Sequence, residues 1–276
     1  MNRKFSVVTT FNQAGYEKYG HKMIDTFLKN WPQDVHLYVY AEDCVVTQSA
    51  PNLVVYDFAQ KVPALTAFKN TWRNVPKANG LEPLGPPNRK GKQPGIGFRW
   101  DAIRFSHKVY AVCDAARETD ADVLFWMDAD MVCHSPVTTD FISSQIPTTT
   151  GLAFLGRKNK FTECGLYAMN LRNAVTQAWL VEFQLAYDSG RLFTMSEWND
   201  CWVFDRTREE TGSTHKNWHQ LNWNSGPDQG EGHPLINTDW GKFLDHLKGA
   251  RKDLGHSKSS DLVQPRNESY WSSVRS

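Results

Sequence analysis

Two carboxylates follow a short apolar segment in the middle of the chain. Val123–Met127 reads VLFWM and is followed directly by Asp128, Ala129 and Asp130. The run is too short for a helix and too apolar for a loop, so it predicts a buried strand. Side chains two positions apart share one face of a strand and lie roughly 6–7 Å apart, so both carboxylates leave the strand together at its carboxyl end.

The carboxyl edge of an α/β sheet is where such proteins bind ligands. Two adjacent carboxylates repel each other and are costly to bury without a counter-charge, which favours a divalent cation between them. We therefore predict that Asp128 and Asp130 hold a metal ion that clamps a diphosphate. The alternative is that the strand ends in an ordinary polar turn.

A second group of candidate residues lies near the C-terminus, where His246 is followed by Gly249 at three positions and Lys252 at six. Imidazole is a good ligand for transition metals, whereas a purely oxygen site suits magnesium as well, so adding His246 to the two aspartates favours manganese. Glycine allows the backbone to approach a phosphate closely, and lysine supplies a mobile positive charge. The alternative is a surface helix with a basic end.

This combination of residues resembles the GT-A-fold glycosyltransferases, and among them the retaining family that includes glycogenin and the lipopolysaccharide galactosyltransferases (family 8-like). The resemblance covers residues 5 to about 254 and implies an α/β domain with a Rossmann-like mixed central sheet flanked by helices. It also implies a site for Mn²⁺, or Mg²⁺, made by Asp128, Asp130 and His246. In that family the glycine and the lysine contact the donor diphosphate, so the resemblance assigns donor contacts to Gly249 and Lys252, and we assign Asp128 to the donor site as well.

The same resemblance implies roles for five further residues. Thr10 and Asp43, at the ends of the first two strands, would contact the base and the ribose of the donor. Arg104, on the helix before the strand Val123–Met127, would reach the donor and the first aspartate, Asp128. Glu163 would hydrogen-bond acceptor hydroxyls, and Asp200 would orient the acceptor or face the reacting carbon. The plainer alternatives are a polar turn for Asp43, a surface charge network for Arg104 and a helix cap for Asp200.

The implied activity is transfer of a sugar, of the hexosyltransferase type, from a nucleotide-sugar such as a UDP-sugar to a hydroxyl. Lys252, the metal and backbone amides would stabilise charge on the leaving diphosphate. Retention and inversion both stay open, with Asp200 or Glu163 as the base if the enzyme inverts. Two other classes also stay open. One is a nucleotidyltransferase, and the other is a non-catalytic binder of sugars or nucleic acids that stacks them on some of the eleven tryptophans.

The length of 276 residues fits one catalytic domain, which we place at residues 1–254, followed by a C-terminal tail at 255–276. The formal net charge of +1 gives no global attraction to nucleic acid or membrane. We find no apolar run of about 18 residues and no secretory signal, so we expect a cytoplasmic protein without a membrane span. The five cysteines lack the spacing of a zinc or disulfide framework, and we expect them to be buried.

The remaining pattern alternates strands and helices, which predicts parallel strands joined by right-handed crossovers. Glu163 is expected in a turn between two strands, and Ser196 is expected to cap a helix at Asp200. The predicted strands lie at 5–10, 35–41, 53–56, 123–127, 151–156 and 165–171, and the predicted helices lie at 16–30, 98–117 and 174–187.

Residues 73–99 contain five glycines and five prolines without periodicity, which predicts a long flexible loop or lid. This segment has six basic residues and one acidic residue, and the segment 242–276 has seven Lys or Arg against four Asp or Glu. Both could contact a polyanion such as modified DNA. A solvated insertion is the plainer alternative for the loop, and the default acceptor is a glycan or a protein.

Overall fold

The structure, a computed structural model, describes residues 3–81, 97–226, 230 and 232–274. Within these ranges, seven strands form one sheet in the order β3-β2-β1-β4-β7-β6-β8, and β5 pairs with β9 beside it. The strands are β1 (Phe5–Asn12), β2 (His36–Glu42), β3 (Leu53–Asp57), β4 (Val123–Met127), β5 (Met131–Cys133), β6 (Leu152–Arg157), β7 (Lys160–Asn170), β8 (Gln220–Asn222) and β9 (Leu244–His246).

The sheet is mixed. Strands β3, β2, β1 and β4 run parallel, as the alternating sequence predicts. Strand β7 runs antiparallel to both β4 and β6, and β8 runs parallel to β6. The expected fold class, an α/β fold with a mixed central sheet flanked by helices, is confirmed, but the parallel arrangement does not extend past β4.

Helices connect and cover these strands. The predicted helix at 16–30 is a π-helical turn, Tyr16–Gly20, that continues as an α-helix from His21. The longer α-helices are His21–Asn30, Pro63–Trp72, Ala102–Glu118, Ala174–Asp188 and Asp200–Thr214. The shorter helices and turns are Gln13–Gly15, Phe58–Lys61, Pro76–Asn79, Thr139–Gln145, Arg191–Thr194, Leu235–Asn237, Asp239–Lys242, Arg251–Leu254, Ser259–Asp261 and Ser269–Ser273.

The central strand β4 is buried on both faces. Leu124 and Trp126 pack into one apolar cluster, and Phe125 and Met127 pack into the other on the opposite face of the sheet. This alternation follows from the two-residue period of a strand. Burying each of these large side chains contributes about 1.5–3 kcal/mol, so β4 is firmly fixed and its carboxyl end is a rigid platform.

Two local predictions are wrong. Glu163 does not lie in a turn, because β7 runs without interruption from Lys160 and forms a hairpin with β6 that turns at Asn159, whose φ is 58°. An asparagine tolerates this left-handed conformation, so the turn falls there. The helix cap is Asn199 rather than Ser196, because the Asn199 side chain accepts a hydrogen bond from the Trp202 amide at 2.9 Å.

The C-terminal segment packs against the domain as far as it is described. Trp271 is buried, and its indole nitrogen donates to the Gly241 carbonyl at 2.7 Å. In the predicted basic loop, residues 82–96 lie outside the described ranges, and Pro76–Asn79 forms a short 3-10 helix. Among the described residues, no helix combines the length and the apolar character needed to cross a membrane.

Candidate metal centre and adjoining cavities

The two aspartates lie at the carboxyl end of β4, where the sequence predicts them. The chain then enters β5, which pairs antiparallel with β9 so that Met131 faces His246. This pairing brings His246 beside Asp130 although the two residues are 116 positions apart. One ligand atom from each of Asp128, Asp130 and His246 lies within 4.8 Å of the others.

His246 is the buried centre of this group. Its Nε2 lies 3.0 Å from Asp130 Oδ1 and 3.5 Å from Asp128 Oδ2. Burial opposes protonation of the imidazole, but the negative charges of Asp130 and Asp128 outweigh burial and raise the pKa of His246 to about 9. Burial likewise opposes the charge of Asp130, yet His246 and Lys252 hold the pKa of that carboxyl well below its usual range.

Two lysines neutralise the remaining negative charge of the carboxylates at this site. Lys252 Nζ lies 2.7 Å from Asp130 Oδ2. Lys108 Nζ lies between two carboxylates, 2.9 Å from Asp128 Oδ1 and 2.5 Å from Asp200 Oδ2. Burial disfavours the charge of Lys108, but the two aspartates raise its pKa well above the ordinary lysine value. Lys108 therefore links the predicted metal-binding carboxylate to Asp200.

Glu163 lies beneath the imidazole. Its Oε1 is 3.3 Å from His246 Nδ1, and its other oxygen forms an ion pair with Lys248. Gly165 lets β7 pass close to the ring, because a Cβ at that position would be only 2.7 Å from His246 Nδ1. A carboxylate on the remote nitrogen of a metal-binding histidine is a recurring arrangement that fixes the orientation of the ring.

The donor set fits a divalent metal ion. Two carboxylates and one imidazole converge, and the remote nitrogen of His246 already faces a carboxylate. Mixed oxygen and nitrogen ligands suit manganese and other first-row metals, whereas magnesium prefers oxygen. Asp128, Asp130 and His246 could therefore hold such an ion.

Two cavities meet at this group of residues. The β1-side cavity, of about 370 Å³, is lined by the ends of β1 and β2 and by the helix Ala102–Glu118. The β7-side cavity, of about 390 Å³, is lined by the β6–β7 hairpin, by the start of the helix Asp200–Thr214 and by the segment after β9. The residues common to both linings are Arg104, Phe105, Lys108, Asp128, Asp130 and Lys252.

Most of the predicted site residues border one of these cavities. Thr10 lines the β1-side cavity, and its hydroxyl donates to the Tyr40 carbonyl at 2.7 Å. Gly249, with a φ of 57° that favours glycine, lines the β7-side cavity together with Glu163 and Asp200. Arg104 lines both cavities, on an exposed face of its helix.

Asp43 is the exception, because it is exposed and lines neither cavity. Its neighbour Glu42 lines the β1-side cavity instead and is paired with His107 at 2.9 Å and with Lys69. The hydrogen bond from His107 lowers the pKa of Glu42 to about 2 despite partial burial. Glu42 is thus a fixed negative charge at this end of the cavity.

Sequence reasoning missed Glu42, Lys108 and Lys248 as site residues. Lys108 stands one helical turn after Arg104 on the same face, a spacing that could have indicated it. Lys248 follows His246 by two positions, but nothing in its spacing distinguishes it from a surface lysine. Its contact with Glu163 depends on how β9 meets β7.

A second buried carboxylate supports β9 from behind. Asp245 has no solvent exposure and accepts three hydrogen bonds. The donors are the Ser257 amide at 2.7 Å, the Ser257 hydroxyl at 2.5 Å and the Tyr270 hydroxyl at 2.8 Å. His233 Nε2 lies 2.9 Å from both the His246 carbonyl and the Ser257 hydroxyl. The C-terminal segment therefore holds the strand that carries His246.

Fold and site together define an α/β protein with a candidate Asp/His metal centre between two cavities. No protein-family model matches the chain, and no curated protein matches its sequence. Among solved structures it is similar to mouse xyloside xylosyltransferase 1, at 8% identity and a TM-score of 0.43 over 79% of this chain and 84% of that one.

Two further similar structures are also glycosyltransferases. The bifunctional WbbM is 10% identical, with a TM-score of 0.43 over 81% of this chain and 39% of that one. GlyE of Streptococcus pneumoniae TIGR4 is 10% identical, with a TM-score of 0.42 over 79% of this chain and 45% of that one. The chain thus spans less than half the length of these two proteins.

Proposed function

We propose that this protein is a metal-dependent glycosyltransferase of the GT-A type that transfers a sugar from a UDP-sugar to a hydroxyl acceptor. The observation that carries this proposal is the convergence of Asp128, Asp130 and His246, because the two aspartates line both cavities and His246 lines the β7-side cavity. A transferase of this kind needs one space for the donor nucleotide, another for the acceptor, and cations where the leaving diphosphate lies between them.

The β1-side cavity is the proposed nucleoside site, bordered by Thr10 and Glu42. A manganese or magnesium ion held by Asp128, Asp130 and His246 would neutralise charge on the leaving diphosphate when bound. Arg104 and Lys252 border both cavities and supply further positive charge to the same oxygens. Lys252, now paired with Asp130, is free to turn toward a phosphate once that carboxylate has another partner.

The β7-side cavity is the proposed acceptor site. Asp200 borders it beside the reaction centre, where a negative charge stabilises the oxocarbenium-like state of the anomeric carbon. Lys108 holds Asp200 in place through the ion pair at 2.5 Å. Glu163 is proposed as a positioning residue that orients His246, since its carboxylate faces His246 and Lys248.

A panel of nucleotide-sugars tests the activity. The protein is incubated with UDP-, GDP-, CDP- and ADP-sugars with and without manganese, and release of the nucleotide is measured beside calorimetric titration with UDP. We expect UDP binding that requires the metal and slow hydrolysis of a UDP-sugar. Metal-independent binding of every nucleotide, or release of pyrophosphate from a nucleoside triphosphate, would contradict the proposal.

The role of Asp200 is tested separately. Asp200→Asn keeps the shape of the side chain but removes its charge, so we expect turnover to fall on the order of a hundredfold while UDP affinity changes little. A collapse of UDP affinity would instead place Asp200 with the donor and the metal.

A further inference from the structure

The tip of the β6–β7 hairpin is strongly basic and stands at the β7-side cavity. Residues 156–162 read GRKNKFT and contain three cations and no carboxylate. The turn is tight, because Asn159 adopts a left-handed conformation with a φ of 58°. Arg157, the last residue of β6, lines the cavity, and Lys158 is exposed at the turn itself.

Arg157 is held in a fixed orientation. Its Nε donates to the Phe161 carbonyl at 2.8 Å, and its guanidinium carbon lies 5.5 Å from the centre of the Phe161 ring. Phe161 is half-buried and lines the same cavity. This hydrogen bond uses only Nε of the guanidinium. The two terminal nitrogens remain available for a ligand, and their planar fork matches the oxygens of a phosphate.

The other cations of the cavity differ from Arg157 in their partners. Lys108 is paired with Asp200, Lys252 with Asp130 and Lys248 with Glu163. Over the described part of the chain, no carboxylate lies within ion-pair distance of Arg157. Arg104 has no such partner in the described ranges either, but it stands at the wall shared with the β1-side cavity, where the donor diphosphate is proposed. Among the described residues on the acceptor side of the cavity, Arg157 is therefore the cation whose charge is not balanced by a carboxylate, and Lys158 follows it in the chain.

Given the proposed function, we infer that the acceptor carries a phosphate ester close to its reacting hydroxyl, and that Arg157 binds this phosphate. The guanidinium fork contacts the phosphate oxygens, the Phe161 ring supports the adjoining sugar or base, and Lys158 attracts the anion at the entrance. This chemistry is shared by sugar phosphates and by the backbone of a nucleic acid. Arg157 is a specificity-determining residue that acts on the acceptor rather than on the donor.

The test fills the donor site first. Protein saturated with UDP and manganese is titrated by calorimetry with glucose 6-phosphate and with glucose, and then with a ten-residue oligothymidylate and with maltohexaose. We expect at least one phosphorylated probe to bind about tenfold or more tightly than its neutral counterpart, because a charged bidentate contact is added. The probe that binds identifies the source of the phosphate.

Three variants assign the effect to Arg157. Arg157→Gln is expected to abolish the preference for the phosphorylated probe, and Arg157→Lys is expected to keep part of it because the charge remains without the fork. Arg117→Gln is the matched control. It also removes one positive charge, but from the last turn of the helix Ala102–Glu118, whereas the cavities lie at the first turns of this helix. The control should keep the full preference, and thermal unfolding of all three verifies that they fold.

The outcomes separate the two proposals. If UDP itself shows no metal-dependent binding, the proposed function fails, and the inference about the acceptor fails with it. If UDP binds but phosphorylated and neutral probes bind equally, or Arg157→Gln keeps the preference, only the inference about the acceptor is overturned. Glucuronate binding as tightly as glucose 6-phosphate would also overturn it, because the site would then select a carboxylate.

Discussion

Two acidic sites lie on either side of β9, one at the fully buried Asp245 and one at the half-buried Asp130, and they are satisfied in different ways. Asp245 accepts hydrogen bonds from an amide and two hydroxyls, all of them uncharged. Asp130, one strand away, is neutralised by His246 at 3.0 Å and by Lys252 at 2.7 Å. The three hydrogen-bond donors at the first site are neutral groups, whereas the second site is neutralised by cationic side chains, of which Lys252 borders both cavities and His246 borders the β7-side cavity.

The contrast separates a structural carboxylate from an exchangeable one. The donors to Asp245 belong to the backbone and to packed side chains, so no ligand can replace them without unfolding the C-terminal segment. The partners of Asp130 can change their interaction with it, because His246 would lose its proton to become a metal ligand and Lys252 can turn toward solvent or a phosphate. A metal ion can therefore enter the second site, while the first only fixes the strand that carries His246.

The largest effect is expected from Asp130→Asn. Loss of one charged ligand should lower transfer on the order of a thousandfold or more and abolish metal-dependent UDP binding, since several kcal/mol of charge stabilisation are lost. Asp128→Asn should behave alike. Steady-state kinetics and calorimetry with UDP and manganese measure both effects. Metal-dependent affinity that survives in both variants would remove the basis for the comparison.

Asp245→Ala should destabilise the fold rather than the metal centre alone. Two donors of the buried Ser257 and the half-buried Tyr270 hydroxyl lose their acceptor, so the free energy of unfolding is expected to fall by about 3 kcal/mol, more than in Asp130→Asn. Urea denaturation of the metal-free protein measures the difference. Asp239→Ala, which removes an exposed carboxylate paired with Lys242 at 2.6 Å, is the control and should cost less than about 1 kcal/mol. Equal losses in both variants would contradict a structural role for Asp245.

His246→Ala sharpens the comparison at the metal itself. We expect manganese affinity to fall about 10- to 100-fold and magnesium affinity to fall less, because nitrogen ligation contributes more to the softer ion. Competitive titration of the two metals gives both constants. Equal loss for manganese and magnesium, or no loss, would argue against ligation by His246.

The smallest effect is expected from Tyr270→Phe. It removes one of the three donors to Asp245 but keeps the ring, which stacks on His134 at 3.9 Å. The free energy of unfolding should fall by about 1 kcal/mol, the typical net contribution of one hydrogen bond. Tyr38→Phe is a suitable control, since the Tyr38 hydroxyl makes no hydrogen bond among the described residues. A loss no larger than that of the control would show that Ser257 alone satisfies Asp245.

The local sequence pattern was sufficient to predict an element where burial of its apolar residues alone decides the structure. Strand β4 has the predicted bounds, Val123–Met127, because five consecutive apolar residues between polar ends can be buried on both faces only in a central strand. The predicted helix at 174–187 is confirmed within one residue, as Ala174–Asp188. Four of the five cysteines are buried, as expected for small apolar side chains.

Competing local signals explain the errors. Ser196 and Asn199 are both good helix caps, and only the packing of the helix selects Asn199. Gly165 looks like a turn residue, but it lies inside β7. A glycine is needed there because the neighbouring ring of His246 leaves no room for a side chain. The reason for that glycine is a contact with a residue far away in the sequence.

The sequence by itself determined the parts of this protein that depend on neighbouring residues: the alternation of strands and helices, the apolar strand and the two carboxylates at its end. Only the tertiary structure decided which distant groups meet those carboxylates. The antiparallel pairing of β5 with β9 places His246 at Asp130, and the packing of Ala102–Glu118 places Lys108 between Asp128 and Asp200. The physical reason is that burial of whole apolar faces stabilises such contacts against the entropy cost of closing long loops, and the local spacing of residues encodes neither energy.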